Sequence, residues 1–170
     1  MQISSSPIPT KAPRGTRLSP LQLTKCITTE FYFRANENFD RKKRALDPSH
    51  LAVETSFDSV SPPEDGKPAL WSIELKVRQD LPAGVNLPYE FRITLIGYFV
   101  FLAPLKPGSD VLRMVRINGS SVLYGIAREI VRTNTAGGAW RELLLPTISF
   151  YEPQNAKALK PARKRTVKTQ

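Results

Sequence analysis

Between Leu21 and Arg34 the chain reads LQLTKCITTEFYFR, rich in β-branched and aromatic residues, and strict alternation puts Ile27, Thr29, Phe31 and Phe33 on one face with Cys26, Thr28, Glu30 and Tyr32 on the other. This predicts a first strand. Leu51 to Val60 alternates again, with Leu51, Val53, Thr55 and Phe57 opposite Ala52, Glu54, Ser56 and Asp58. LWSIELKVRQ places Trp71, Ile73, Leu75 and Val77 two residues apart, and YEFRITLIGYFVFL carries Tyr89, Phe91, Ile93 and Leu95 on one face before becoming apolar on both. Gly97 within that last segment predicts a bulge or a close backbone approach. The intervening stretches, with Pro48, SPPEDGKP and LPAGVNLP, have the composition of turns. After Asn118 the period changes: Val122, Leu123, Ile126, Ala127, Ile130 and Val131 follow i, i+3, i+4 spacing, with Ser120 or Ser121 to cap the start and Gly137 with Gly138 to end it. Trp140, Leu143, Leu145, Ile148 and Phe150 then form an apolar extended segment. Four strands joined by connections too short for parallel crossovers, followed by one C-terminal helix of about four turns, predict an α+β fold with a four-stranded antiparallel sheet.

With 170 residues, one domain with tails is the expected organisation. Residues 1–20 hold four prolines and three cations (Lys11, Arg14, Arg17) without an acid, and are expected to be a flexible basic arm. Residues 153–170 hold Lys157, Lys160, Arg163, Lys164, Arg165 and Lys168, again without an acid, and are expected to be a disordered basic tail. The formal net charge of +10 therefore belongs to the ends: residues 21–152 carry sixteen Lys or Arg against all fifteen acids. No apolar run approaches the roughly 18 residues that span a bilayer, so membrane insertion is not expected. The polar, proline-rich start lacks the apolar centre of a secretory signal. A single cysteine, Cys26, fits a reducing cytoplasm and is expected to be a small buried hydrophobe.

Catalytic apparatus is missing from the pattern. One histidine, His50, falls in a loop, and one His with one Cys falls short of the four ligands of a zinc site. Neither a P-loop nor G-x-G-x-x-G occurs, and the adjacent carboxylates Glu64 and Asp65 sit in a turn. No enzyme activity, metal or cofactor is expected.

SVLYGIAREIVRTNTAGGAWRELLLPTISF, residues 121–150, resembles the segment N-I-L-F-P-Y-A-R-E followed by G-x-F-P-x-L-x-L-x-P of the SecB export-chaperone family. Leu123, Ala127, Arg128, Glu129, Gly138, Leu143, Leu145 and Phe150 match, with Trp140 in place of the family's Phe. The first strand also runs without a gap against the family's, with Gln22, Phe33 and Ala35 identical. What the resemblance implies is a dimer or dimer of dimers, a homotetramer, that holds unfolded chains in apolar grooves without ATP. Client-binding candidates are then Phe39 and Leu46 in the loop after the first strand and Leu51, Val53 and Phe57 on the second, although the last three also suit an ordinary core. Phe91, Ile93, Leu95, Val122 and Ile126 are the expected oligomer interface.

Departures from the family refine the expectation. Its acidic positions for the SecA motor fall at Glu30, Arg34 and Arg92, so two of three have reversed sign, which argues against SecA docking. The second amphipathic helix of the family gives way to Pro153 and the basic tail, and Arg141 replaces a turn proline. A chaperone dedicated to the antitoxin of a toxin–antitoxin pair fits these losses; general export of preproteins is the alternative within the class. From a different class, the basic tails with Arg41-Lys42-Lys43-Arg44 would bind nucleic acid in a salt-dependent, sequence-independent way.

Overall fold

A computed structural model describes residues 18–43, 50–61, 68–102 and 110–151. Four strands, β1 (Leu21–Ala35), β2 (Leu51–Ser61), β3 (Leu70–Gln79) and β4 (Tyr89–Phe101), precede one helix, α1 (Val111–Ala136). All pairings are antiparallel, in the order β1-β4-β3-β2, so β1 and β2 are the two edges. The predicted fold class is the one observed, and the strand limits fall within a residue of the apolar alternation.

The core lies between one face of the central strands and the helix. Trp71, Ile73, Leu75 and Val77 of β3 and Tyr89, Phe91, Ile93, Leu95 and Phe99 of β4 turn toward α1, which answers with Val115, Leu123, Ala127 and Val131. Each such side chain, fully buried, contributes ~1.5–3 kcal/mol, far above what the exposed ion pairs add. Among these pairs, the Arg132 guanidinium holds the Glu129 carboxyl at about 2, well below the usual carboxylate range. That stabilisation is present above the ordinary carboxylate range and is lost only as the pH falls toward 2; at an exposed site it is small.

Two features depart from the sequence reading. The helix starts at Val111, not after Asn118: the Asp110 side chain caps it by accepting from the Arg113 backbone N–H at 3.0 Å. Asn118-Gly119-Ser120 looks like a turn in sequence, yet Gly119 is a packing residue, since a Cβ there would collide with Ile73 and press on Phe99. Gly97 on β4 receives Leu123 in the same manner, which is the close approach predicted for it. The second departure is in β1, whose register against β4 slips between Leu23 and Lys25 and again between Thr28 and Glu30. An irregularity inverts alternation beyond it. Ile27 therefore pairs with Ile96 on the outer face, while Phe31 and Phe33 pair with Ile93 and Phe91 on the helix face. Cys26 is exposed on the helix face opposite Gly97, not buried, although its residual burial pushes the thiol pKa upward.

Beyond the helix, the extended segment after Ala136 is clamped by its own backbone to one side of α1. The Thr135 hydroxyl accepts from the Leu143 N–H at 2.8 Å, Arg128 Nε donates to the Leu145 carbonyl at 3.1 Å, and the Tyr124 hydroxyl donates to the Pro146 carbonyl at 2.7 Å. These bonds lead the chain back toward the start of the helix, where Phe150 packs edge-on against Tyr124 at 6.0 Å and Tyr151 lies under Arg113.

Candidate functional site

Phe39, expected in a client groove, is an anchor at one end of the sheet. Its ring packs edge-on against Trp140 at 5.4 Å, and the Arg41 guanidinium covers the same indole at 5.0 Å. Trp140 is in turn fixed, its indole N–H donating to the Asn36 carbonyl at 3.0 Å and its backbone N–H to the Tyr89 hydroxyl at 3.1 Å. The loop is tied to its neighbour as well, because the Asp40 N–H donates to Asn86 Oδ1 and Asn86 Nδ2 donates to the Asp40 carbonyl. These contacts hold the half-buried Phe39 ring against Trp140. Leu46 lies outside the described residues, as do Glu64, Asp65, residues 1–17 of the basic arm and the whole basic tail.

Leu51, Val53 and Phe57 fall on the helix face of β2, half-buried and packed against the core. Leu51 stands near the Phe39 end, opposite Gln79, whereas Phe57 is six residues on, opposite Ile73, about 20 Å along the strand. Those two places do not form one pocket. At the Phe57 end, however, β2 borders an open groove. A cavity of about 240 Å³ is lined by Phe57, Ile73, Thr55, Arg116 and Ser120, and a larger one of about 620 Å³ continues from Thr55, Arg116 and Ser120 toward Leu112, Ile117, Phe150 and Tyr151. One wall is an edge strand, and among the described residues no backbone bond reaches its outer edge. The opposite wall is the first half of α1, and the floor is closed by the clamped segment ending at Tyr151.

Arg113, Arg116 and Ser120, at i, i+3 and i+7, share one side of the helix only because α1 begins at Val111. Sequence reading missed them for that reason. Asp110, a favoured N-cap residue directly before Val111 and Leu112, was the available signal.

Of the expected oligomer residues, Phe91, Ile93 and Leu95 are 0%, 1% and 0% exposed. Their side chains are covered by α1 of the same chain, so they build the core and have no surface left to offer a partner subunit. Val122, 44% exposed, and the half-buried Ile126 lie on the flank of the helix, and Phe31, 49% exposed, adds apolar surface on the helix face of edge strand β1.

The opposite face of the sheet is a lattice of charge. Arg34 pairs with Glu90 at 2.6 Å, Arg92 with Asp80 at 3.3 Å, and Arg78 with Glu54 at 3.3 Å, while Thr94 donates to Glu30 at 2.9 Å. Glu30, Arg34 and Arg92 therefore do share this face, but as members of a self-paired network and not as an acidic patch. Among the described residues no group of three His, Cys, Asp or Glu could hold a metal ion, and no helix is long and apolar enough to cross a membrane.

The molecule is thus an α+β scaffold with a half-open groove between a free strand edge and a helix. Among solved structures it is similar to the Rv1957 SecB-like chaperone of Mycobacterium tuberculosis, in complex with a ChAD peptide from the Rv1956 HigA1 antitoxin, with 14% identity and a TM-score of 0.45 over 78% of this chain and 93% of that one. It is also similar to a protein of unknown function from Streptococcus agalactiae, with 13% identity and a TM-score of 0.49 over 75% of this chain and 97% of that one. No family model matches the chain, and no curated protein matches it. Strand order and register define the fold.

The residues that carry the sequence resemblance have structural tasks. Leu123, Ala127, Leu143 and Leu145 are core, Arg128 clamps the returning segment, and Gly138 lets the Tyr89 hydroxyl approach. They fix how helix and segment pack and do not line the groove, apart from Phe150 at its floor.

Proposed function

We propose that the protein is an ATP-independent chaperone that holds unfolded or unstable client proteins in extended form. The observation that carries this reading is the groove itself: the unpaired backbone of β2 runs beside partly buried apolar side chains, Phe57 above all, which is the combination that captures an extended segment by strand addition. The sequence resemblance to the SecB family over residues 121–150 supports it. Within the class we infer a cytoplasmic homo-oligomer, assembled through the apolar surface around Val122, and dedicated to the antitoxin of a toxin–antitoxin pair. The dedicated role is favoured over export because the outer-face charges at Arg34 and Arg92 are basic and already paired. Nucleic-acid binding by the basic runs receives less support, since Arg41 spends its guanidinium on Trp140.

Site-directed photo-crosslinking tests the reading without disturbing the fold. A photoreactive side chain at Thr55, which is exposed and lines both cavities, should crosslink a purified, chemically denatured substrate, and one at Glu74 on the outer face should not. Crosslinks from Glu74 with none from Thr55 would move client binding to the other side of the sheet.

A further inference from the structure

The groove is not merely apolar. Its helix wall carries two arginines, and Asp110, the one acid among the described residues that line it, already caps the helix through the Arg113 N–H at 3.0 Å. Arg113 lies over the Tyr151 ring at 4.9 Å. Arg116 is exposed, lines both cavities and has no carboxylate partner among the described residues, whereas Arg34, Arg78 and Arg92 on the sheet's outer face each have one. Ser120 adds a hydroxyl one turn further on, beside Phe57 and Ile73. The chain's own tail is a poor occupant: residues 153–170, which begin two positions after Tyr151 at the groove floor, carry six cations and no acid and would be repelled.

Resting on the holding function argued above, we propose that the groove between β2 and α1 selects extended segments that carry a carboxylate among apolar residues, with Arg116 as the residue that reads the charge. In such a segment alternate side chains point the same way, so apolar residues reach Phe57 and Ile73 while an acidic one on the same side meets Arg116. The shallow, partly solvated setting makes the charge a selector more than a source of affinity.

The test uses the full chain and labelled peptides of about ten residues, a usual strand length, alternating valine and serine with glutamate, glutamine or lysine in place of one central valine. Fluorescence anisotropy should show the glutamate peptide binding roughly three- to tenfold tighter than the lysine peptide, with glutamine between. Arg116→Glu should abolish or invert that order while leaving the thermal melt unchanged, because the side chain is exposed. Equal affinities for the three peptides would overturn the proposal. So would a preference for glutamate that survives Arg116→Glu, which would place its origin in the basic tails. If no peptide binds but the protein still suppresses aggregation of a denatured substrate, the selectivity assigned to this groove fails and the holding function stands; if neither is seen, both fail.

Discussion

Phe91→Ala should cost the fold about 3–5 kcal/mol, the usual penalty for removing a large aromatic from a closed core. Phe91 is fully buried on the central strand β4, paired with Phe33 on one side and Gln79 on the other, and its ring stacks on Phe33 at 6.1 Å. Denaturant unfolding followed at several protein concentrations separates core from interface, because a loss that belongs to subunit contact changes with concentration. The Phe91→Ala loss should be the same at all of them. Val122→Ser is the contrast: its exposed position predicts a change within about 0.5 kcal/mol in the chain's own stability, and a shift toward smaller particles in light scattering if the helix flank joins subunits. A concentration-dependent loss for Phe91→Ala would put this strand face at a subunit boundary after all.

Thr135→Val keeps shape and removes a hydroxyl that serves two partners, donating to the Val131 carbonyl at 2.8 Å and accepting from the Leu143 N–H at 2.8 Å. The residue is fully buried, so the Leu143 N–H would be left without an acceptor, a loss of about 1–3 kcal/mol. Tyr124 and Arg128 would still hold the carbonyls of Pro146 and Leu145. The segment should therefore loosen at one point and not detach: hydrogen exchange should accelerate at Leu143, with little change in β3 and β4. Wild-type stability in Thr135→Val would mean that the clamp is held by packing of Leu143 and Leu145 alone.

The strands were legible because a two-residue period survives wherever one face meets a core: Trp71, Ile73, Leu75 and Val77 need no further information to be placed inward. β1 was less legible. Its two irregularities leave no trace in composition, so Ile27 reads as a companion of Phe31 when register against β4 sends it to the other face. The first turns of α1 were hidden for a different reason: Val111, Val115 and Ile117 are β-branched, and Asn118-Gly119 imitates a turn, while tertiary packing against Ile73 and Phe99 is what requires the glycine. Missing those turns meant missing Arg113 and Arg116, and with them the polar wall of the groove. Alternation put Phe57 on one face of β2 with Leu51 and Val53, but the choice between core and groove needed the third dimension: it packs against the core and also lines the smaller cavity.

The central claim is that this protein holds unfolded chains without nucleotide, and aggregation of a chemically denatured substrate, followed by light scattering after dilution into buffer containing the full-length protein, tests it most directly. Suppression should rise with chaperone concentration, approach completion near a stoichiometric ratio of oligomer to substrate, and be unchanged by added ATP and magnesium. Undiminished aggregation in the presence of an excess of correctly folded protein would contradict the account.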